Sequence, residues 1–338
     1  RQADASPRLA GDAGLPGRTR LSYDGALAPA ALDGALAPAA LDGALKIETR
    51  DAGRLAAYVA PAAPQLARWL GAGAFSRLAC EGRVRADAQG VTLNAAALDV
   101  DRSRLSGAVD WRAATATGRG KLDARLLASV IDIDTLPDVR ALAALSSRDD
   151  LSLSLDAQAL RVERIGEAPA ETGRLRLALT RADGVTNLDN LSIVGLGGAN
   201  LSGAGRMTAQ GGGFDFKLDA ERLADLAALL RRVAPGPASE AFAARAFALS
   251  PARMIFGVAM DASGAFTQIN LAGEAGGARY SAQALPSGAG RMQARVSAQA
   301  AEAAILLRQA GRPALPPKGR GGARLGAHGE GAVPAPPG

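Results

Sequence analysis

Leu105-Ser106-Gly107-Ala108, followed by Lys121-Leu122-Asp123-Ala124, recurs as Leu201-Ser202-Gly203-Ala204, followed by Lys217-Leu218-Asp219-Ala220. The offset is 96 residues for both halves, and equal internal spacing marks a duplicated structural unit. Looser copies flank the pair. Asn270-Leu271-Ala272-Gly273 and Arg295-Val296-Ser297-Ala298 lead into the apolar-rich run from Gln299 to Leu307, and Lys46-Ile47-Glu48-Thr49 leads into Asp51 to Leu70. Each second motif precedes a helix-like stretch, Arg125 to Val130 in one copy and Glu221 to Val233 in the other. The implied unit is several strands, one helix, then more strands. Repeats of this kind act through extended surfaces more often than through single pockets.

The strands are read from alternation. Leu151-Ser152-Leu153-Ser154-Leu155-Asp156 and Arg174-Leu175-Arg176-Leu177-Ala178-Leu179-Thr180 place leucines on one face only. Asp183-Gly184 between alternating runs is a hairpin signal. Shorter strands are expected at 83–86, 91–94, 97–100 and 104–107, and further ones around 191–194, 199–208, 214–218 and 254–260, in antiparallel meanders. Leu223, Leu226, Ala227 and Leu230 have helical spacing, with Asp219 as a cap, basic residues at the helix end, and Pro235 and Pro237 as stops. A helix from Asp51 breaks at Pro61 or Pro64, its second piece presenting Leu66, Trp69 and Leu70. The fold class is thus a β-rich α+β protein: repeated antiparallel strand meanders with short interspersed helices, forming an elongated curled sheet or trough.

Three segments follow. Residues 1–41 read as a flexible lead-in, 42–310 as the β-repeat region, and 311–338, dominated by Gly, Pro and Arg, as a disordered tail. The lead-in carries Asp24-Gly25-Ala26-Leu27-Ala28-Pro29-Ala30-Ala31-Leu32 twice in tandem, with a third copy begun at Asp42. A period of nine with Pro in each copy is read as a recent duplication in a tolerant loop or edge.

Composition narrows the function. Among 338 residues, 48% are apolar but only 4% aromatic, so Leu, Ala and Val build the core. The formal charge of +6 is divided between the tail and a nearly balanced remainder, which argues against nucleic acid as a partner. Cys80 is the one cysteine, which excludes an internal disulfide framework. The most apolar stretch, Leu55 to Phe75, is interrupted by Pro61, Pro64 and Arg68, short of the roughly 18 apolar residues of a membrane helix. The sequence begins at Arg1 rather than Met, so what precedes it is left open.

Catalytic signals are sparse. His328, the one histidine, falls in the tail, so Ser-His-Asp and Cys-His mechanisms lack their base. Gly118-Arg119-Gly120-Lys121-Leu122 has Leu122 where a phosphate loop needs Ser or Thr. Gly203-Ala204-Gly205-Arg206 and Gly288-Ala289-Gly290-Arg291 lack the third glycine and following helix of a dinucleotide site. Asp132 with Asp134, and Asp149 with Asp150, are the nearest to paired carboxylates, read as solvated loop residues. No catalytic, cofactor or metal residue is assigned.

Strand meanders closed by a helix opening Leu-Asp-Ala-x-x-Leu, with Leu-Ser-Gly-Ala strands between, resemble the periplasmic repeats of the AsmA family. The residues carrying this are 105–108, 121–127, 201–204 and 217–230, and the resemblance spans about Asp42 to Arg308. It implies an apolar-lined sheet, a role in outer-membrane biogenesis and lipid movement in Gram-negative bacteria, no enzymatic activity, no cofactor, and phospholipid acyl chains as partners. It also implies a periplasmic location, anchored to the inner membrane by an N-terminal segment that this sequence does not contain. Leu151, Leu153 and Leu155 with Leu175, Leu177 and Leu179 are the candidate lipid groove. Two readings of them stay open: an open groove, or leucines packed against helices at 125–145 and 221–233. Two rival functions accompany these, a structural or adhesive surface repeat with a dry sheet, and a hydrolase using Asp132 and Asp134.

Overall fold

The structure, a computed structural model, describes residues 8–28, 40–61, 67, 76–115, 118–135, 149–162, 170–233, 235–263, 265–288, 291–311 and 323–332. It is β-rich, with long antiparallel meanders and short helices between them. The chain divides into two compact units, 1–161 and 162–338.

The first unit contains β1 (Arg8–Leu15), β2 (Thr19–Ala28), β3 (Ala40–Thr49), α1 (Ala52–Val59), β4 (Leu78–Asp87), β5 (Gly90–Val100), β6 (Ser103–Arg112), β7 (Lys121–Asp132) and β8 (Asp150–Ala157). Neighbours from β1 to β7 pair antiparallel in chain order, and β8 then pairs parallel to β7. A short β9 (Leu160–Val162) also lies parallel to the end of β7. The second unit contains β10 (Ala170–Thr172), β11 (Arg174–Ala182), β12 (Val185–Leu196), β13 (Ala199–Thr208), β14 (Gly211–Ala220), α2 (Ala224–Val233), α3 (Pro237–Arg245), β15 (Ala252–Asp261), β16 (Phe266–Ala275), β17 (Ala278–Gly288), β18 (Arg291–Ala300), α4 (Ala303–Gln309) and β19 (Ala323–Ala332). From β11 to β19 each strand pairs antiparallel with the next.

Turn chemistry sets these registers. Asp183 and Gly184, Gly197 and Gly198, and Gly276 and Gly277 all have positive φ, the geometry that two-residue hairpins require. The duplicated motifs fall on consecutive antiparallel strands, β6 with β7 and β13 with β14, but in different registers: the second motif opens β7, where Leu122 faces Trp111, and closes β14, where Leu218 faces Leu201. The glycine of each copy is required for a different reason: a Cβ at Gly203 would overlap the Phe216 ring, and one at Gly107, which has positive φ, would meet the Arg125 backbone carbonyl.

A helix follows the second motif strand in three copies, as α1 after β3, α2 after β14 and α4 after β18. Asp51 caps α1 by accepting the Arg54 N–H at 3.0 Å, and Leu55 and Ala56 bury against Leu15, Ile47 and Leu78. The exception is the copy at 121–130. There the expected helix from Arg125 is instead the second half of β7, with Leu126, Ala128 and Val130 on one face and Arg125, Leu127 and Ser129 on the other. Period two suits this stretch, and the β-branched Val130 and Ile131 favour a strand.

Other expectations also shift. The strands read at 91–94 and 97–100 are one strand, β5, whose register to β6 shifts between Ala95 and Leu98. Asp219 lies within β14 rather than at a cap, and α2 starts at Ala224. Pro237 opens α3 at its first turn, where the missing N–H costs nothing. The lead-in holds β1, β2 and the start of β3, and the tail holds β19, paired to β18 along its length. The expected apolar face Leu66, Trp69 and Leu70, and residues 136–145 of the other expected helix, lie outside the described residues.

The nine-residue repeat explains its own tolerance. Copies pair with each other: Asp24 faces Ala44, Gly25 faces Gly43, and Ala26 faces Asp42. Deleting residues 33–41 leaves Ala31-Leu32 where the identical Ala40-Leu41 stood, so every neighbour is retained with Pro29-Ala30 as the connection. A shorter loop and a poorer turn offset each other, so the deletion should move the unfolding midpoint by less than about 4 °C. Thermal unfolding followed by circular dichroism tests this, and loss of cooperative unfolding would refute the pairing.

Candidate functional site

Register converts the leucine pattern into a surface. In the first unit Leu45, Gly82, Ala95, Gly107, Leu126 and Leu155 stand in one cross-strand line, and Gly43, Val84, Leu93, Val109, Ala124 and Leu153 in the next. A third line holds Leu41, Ala86, Val91, Trp111, Leu122 and Leu151. Directly paired residues share a face, so one side of this sheet is apolar across six strands.

The second unit repeats the arrangement. Leu175, Ile193, Leu201, Leu218 and Met254 form one line, and Leu177, Leu191, Gly203, Phe216, Phe256 and Leu271 the next. Leu179, Leu188, Gly205, Phe214, Val258 and Ile269 form the third. Phe216 and Phe256 stack at its centre with ring centroids 4.9 Å apart. The pair escaped the sequence reading, although Phe214 and Phe216 alternating with Asp215 and Lys217 carried the signal.

The opposite faces are charged. Asp42 pairs with Arg83 at 2.9 Å, Lys46 with Glu81 at 3.2 Å, and Glu274 with Arg279 at 3.0 Å. The Thr92 hydroxyl, donating at 2.8 Å, holds the Asp110 carboxyl below its usual range, and Arg8 does the same for Asp24. A concavity of about 900 Å3 lies on this polar side of the second unit, among Ser202, Asp215, Lys217, Asn270 and Ser281.

All six candidate leucines lie on the apolar faces, Leu151, Leu153 and Leu155 in the first unit and Leu175, Leu177 and Leu179 in the second. All are half-buried. Leu196, Ala199, Ala220 and Ala252, at strand ends, are fully buried, as are Leu223, Leu226 and Ala227 at the start of α2. Burial also reaches into the lines themselves, at Val84, Ala95, Leu122, Ala124, Ile193 and Leu218, whereas the first and last strands keep more surface, 47% at Leu9 and 56% at Leu325. The helix expected at 125–145 is, over the described residues 125–132, itself a strand of the sheet.

The carboxylates behave differently from expectation. Asp132 is fully buried, not solvated, with its Oδ2 2.7 Å from Arg102 Nε. The Asp134 N–H donates to its Oδ1 at 3.0 Å, and its own N–H donates to Ser103 Oγ at 2.9 Å. Asp134 is exposed. The two therefore do not face each other across a cleft as an acid–base pair does. Among the described residues no group of three His, Cys, Asp or Glu could hold a metal ion, and no helix is long and apolar enough to cross a membrane. The Cys80 thiol is buried, and burial pushes its pKa up.

No protein-family model, no curated protein and no solved structure matches this chain.

Proposed function

We propose that the chain is a non-enzymatic, AsmA-like periplasmic protein of outer-membrane biogenesis, attached at the inner membrane, that binds or conducts lipid along the apolar faces of its sheets. The observation that carries this reading is the set of apolar cross-strand lines, three in each unit, in which the six candidate leucines remain half-buried. A monomeric protein rarely leaves so broad an apolar face to water without an occupant. Acyl chains suit it by shape and energy. About ten methylenes laid on such a face gain roughly 8 kcal/mol before ordering costs, which bounds the affinity of one chain at about the micromolar range. The charged opposite faces favour solvent on the other side, so each sheet presents one lipid-compatible surface.

Native mass spectrometry with lipid extraction tests the reading on the full chain purified from a Gram-negative host. Phospholipid should accompany the chain and be lost from the Leu153→Asp/Leu177→Asp variant, which places a carboxylate in each apolar face. Absence of lipid from both, with both folded by circular dichroism, would leave a dry structural repeat and end the lipid proposal.

A further inference from the structure

At one margin of the first unit, the β5–β6 turn and β9 enclose a pocket of about 290 Å3 lined by Arg77, Arg102, Arg104 and Arg161, with Ser103 and two carboxylates, Asp99 and Asp101. Its charges are unequally committed. Arg102 is spent on buried Asp132, and Arg77 lies 3.8 Å from Glu48. Asp101 accepts the N–H groups of Ser76 and Arg77 through one oxygen, at 3.0 and 2.8 Å. Asp99 stands opposite Arg104 in the β5–β6 pairing, yet no ion pair forms between them. Arg104 and Arg161 have no acidic partner among the described residues. The Nε of Arg161 is buried with no acceptor, a donor left unsatisfied where most are paired.

A guanidinium presents its donors in a planar fork that matches an oxyanion, and two converging forks select a multiply charged one. A polar pocket, two uncommitted guanidiniums and an orphaned buried donor together call for a ligand of that class. We propose that this pocket binds a phosphoryl group, with Arg104 and Arg161 as its principal contacts. Such binding requires nothing of the apolar faces, so it goes beyond the lipid proposal and can fail or hold separately from it.

The test titrates the full chain with inorganic phosphate by calorimetry at low ionic strength, beside Arg104→Gln/Arg161→Gln and a charge-matched Arg206→Gln/Arg291→Gln control in the second unit. Saturable binding is expected, weakened about tenfold or more in the pocket variant and less than about twofold in the control. If the double variant fails to fold, the single Arg104→Gln change at an exposed position replaces it. No saturable binding by the unmodified chain, or equal weakening in the control, would overturn the proposal. A parallel arm uses phosphatidylcholine vesicles with and without phosphatidic acid. Pocket-dependent binding to the acidic vesicles, competed by phosphate, identifies a lipid headgroup as the source, whereas phosphate binding without it identifies a soluble phosphate compound.

Discussion

Replacing Gln309 by Leu is expected to lower the stability of the second unit by about 3 kcal/mol, a fall of roughly 6–12 °C in its unfolding midpoint. Gln309 is buried at the end of α4, and its amide N–H2 donates to three carbonyls, Ala275 at 2.9 Å and Ala248 and Gly276 at 3.2 Å. Its carbonyl accepts the Tyr280 hydroxyl. One side chain thus ties α4 to the β16–β17 hairpin and to the segment before β15. Leucine fills similar volume but leaves these groups unsatisfied away from water, and each orphan costs about 1–3 kcal/mol before relaxation. Gln309→Glu separates volume from hydrogen bonding. Its carboxylate would face carbonyls, so its folded pKa should rise above the unfolded value of about 4.3. An acid with a raised folded pKa binds more protons when folded, so this variant should lose stability as pH rises through and above that value. Chemical unfolding at pH 4 and pH 7 measures both effects, and a Gln309→Leu variant as stable as the original would refute the role.

The second large effect concerns Arg102 and Asp132. Arg102→Leu leaves a fully buried carboxylate without its guanidinium. Pairs buried on both sides lose roughly 3–5 kcal/mol when one partner is removed. Arg102 is 44% exposed, so water screens one side of this pair and about 2 kcal/mol is expected. Adding Asp132→Asn should restore most of that loss, because the amide oxygen still accepts the Asp134 N–H while the charge is gone. A double-mutant cycle by urea unfolding reads the coupling. Additive losses would mean that the pair contributes nothing.

What was legible in the sequence follows the range of the interactions. Alternation in β8 and β11 and the Asp183-Gly184 turn are local, and both appear in the structure as read. The same Lys-Leu-Asp-Ala motif opens β7 and closes β14, so the helix that follows it in one copy has no counterpart in the other. Leu126 and Leu127, adjacent and both apolar, fit a helix face or a strand with one exposed leucine, and only pairing with β6 and β8 decides. Asp132 meets Arg102 from a turn thirty residues away, and local composition made it a loop carboxylate. Arg161 reaches the same margin through β9, three residues long. β19 hides because Gly and Arg dilute an alternation that becomes decisive only once β18 offers an edge. The six candidate leucines were legible as one-faced, but whether anything covers them depended on where the helices pack.

Leu126 and Leu127 supply the most direct test of lipid on the apolar faces, because they are the same residue type, adjacent in β7, on opposite sides of the sheet. A photoreactive benzophenone side chain at each position, activated in cells of a Gram-negative host, reports what touches each face. Phospholipid adducts are predicted at Leu126, half-buried in the apolar lines, and not at Leu127, 62% exposed on the polar side. Equal adducts at both positions, or none at Leu126 while the protein remains folded, would contradict lipid binding by that face.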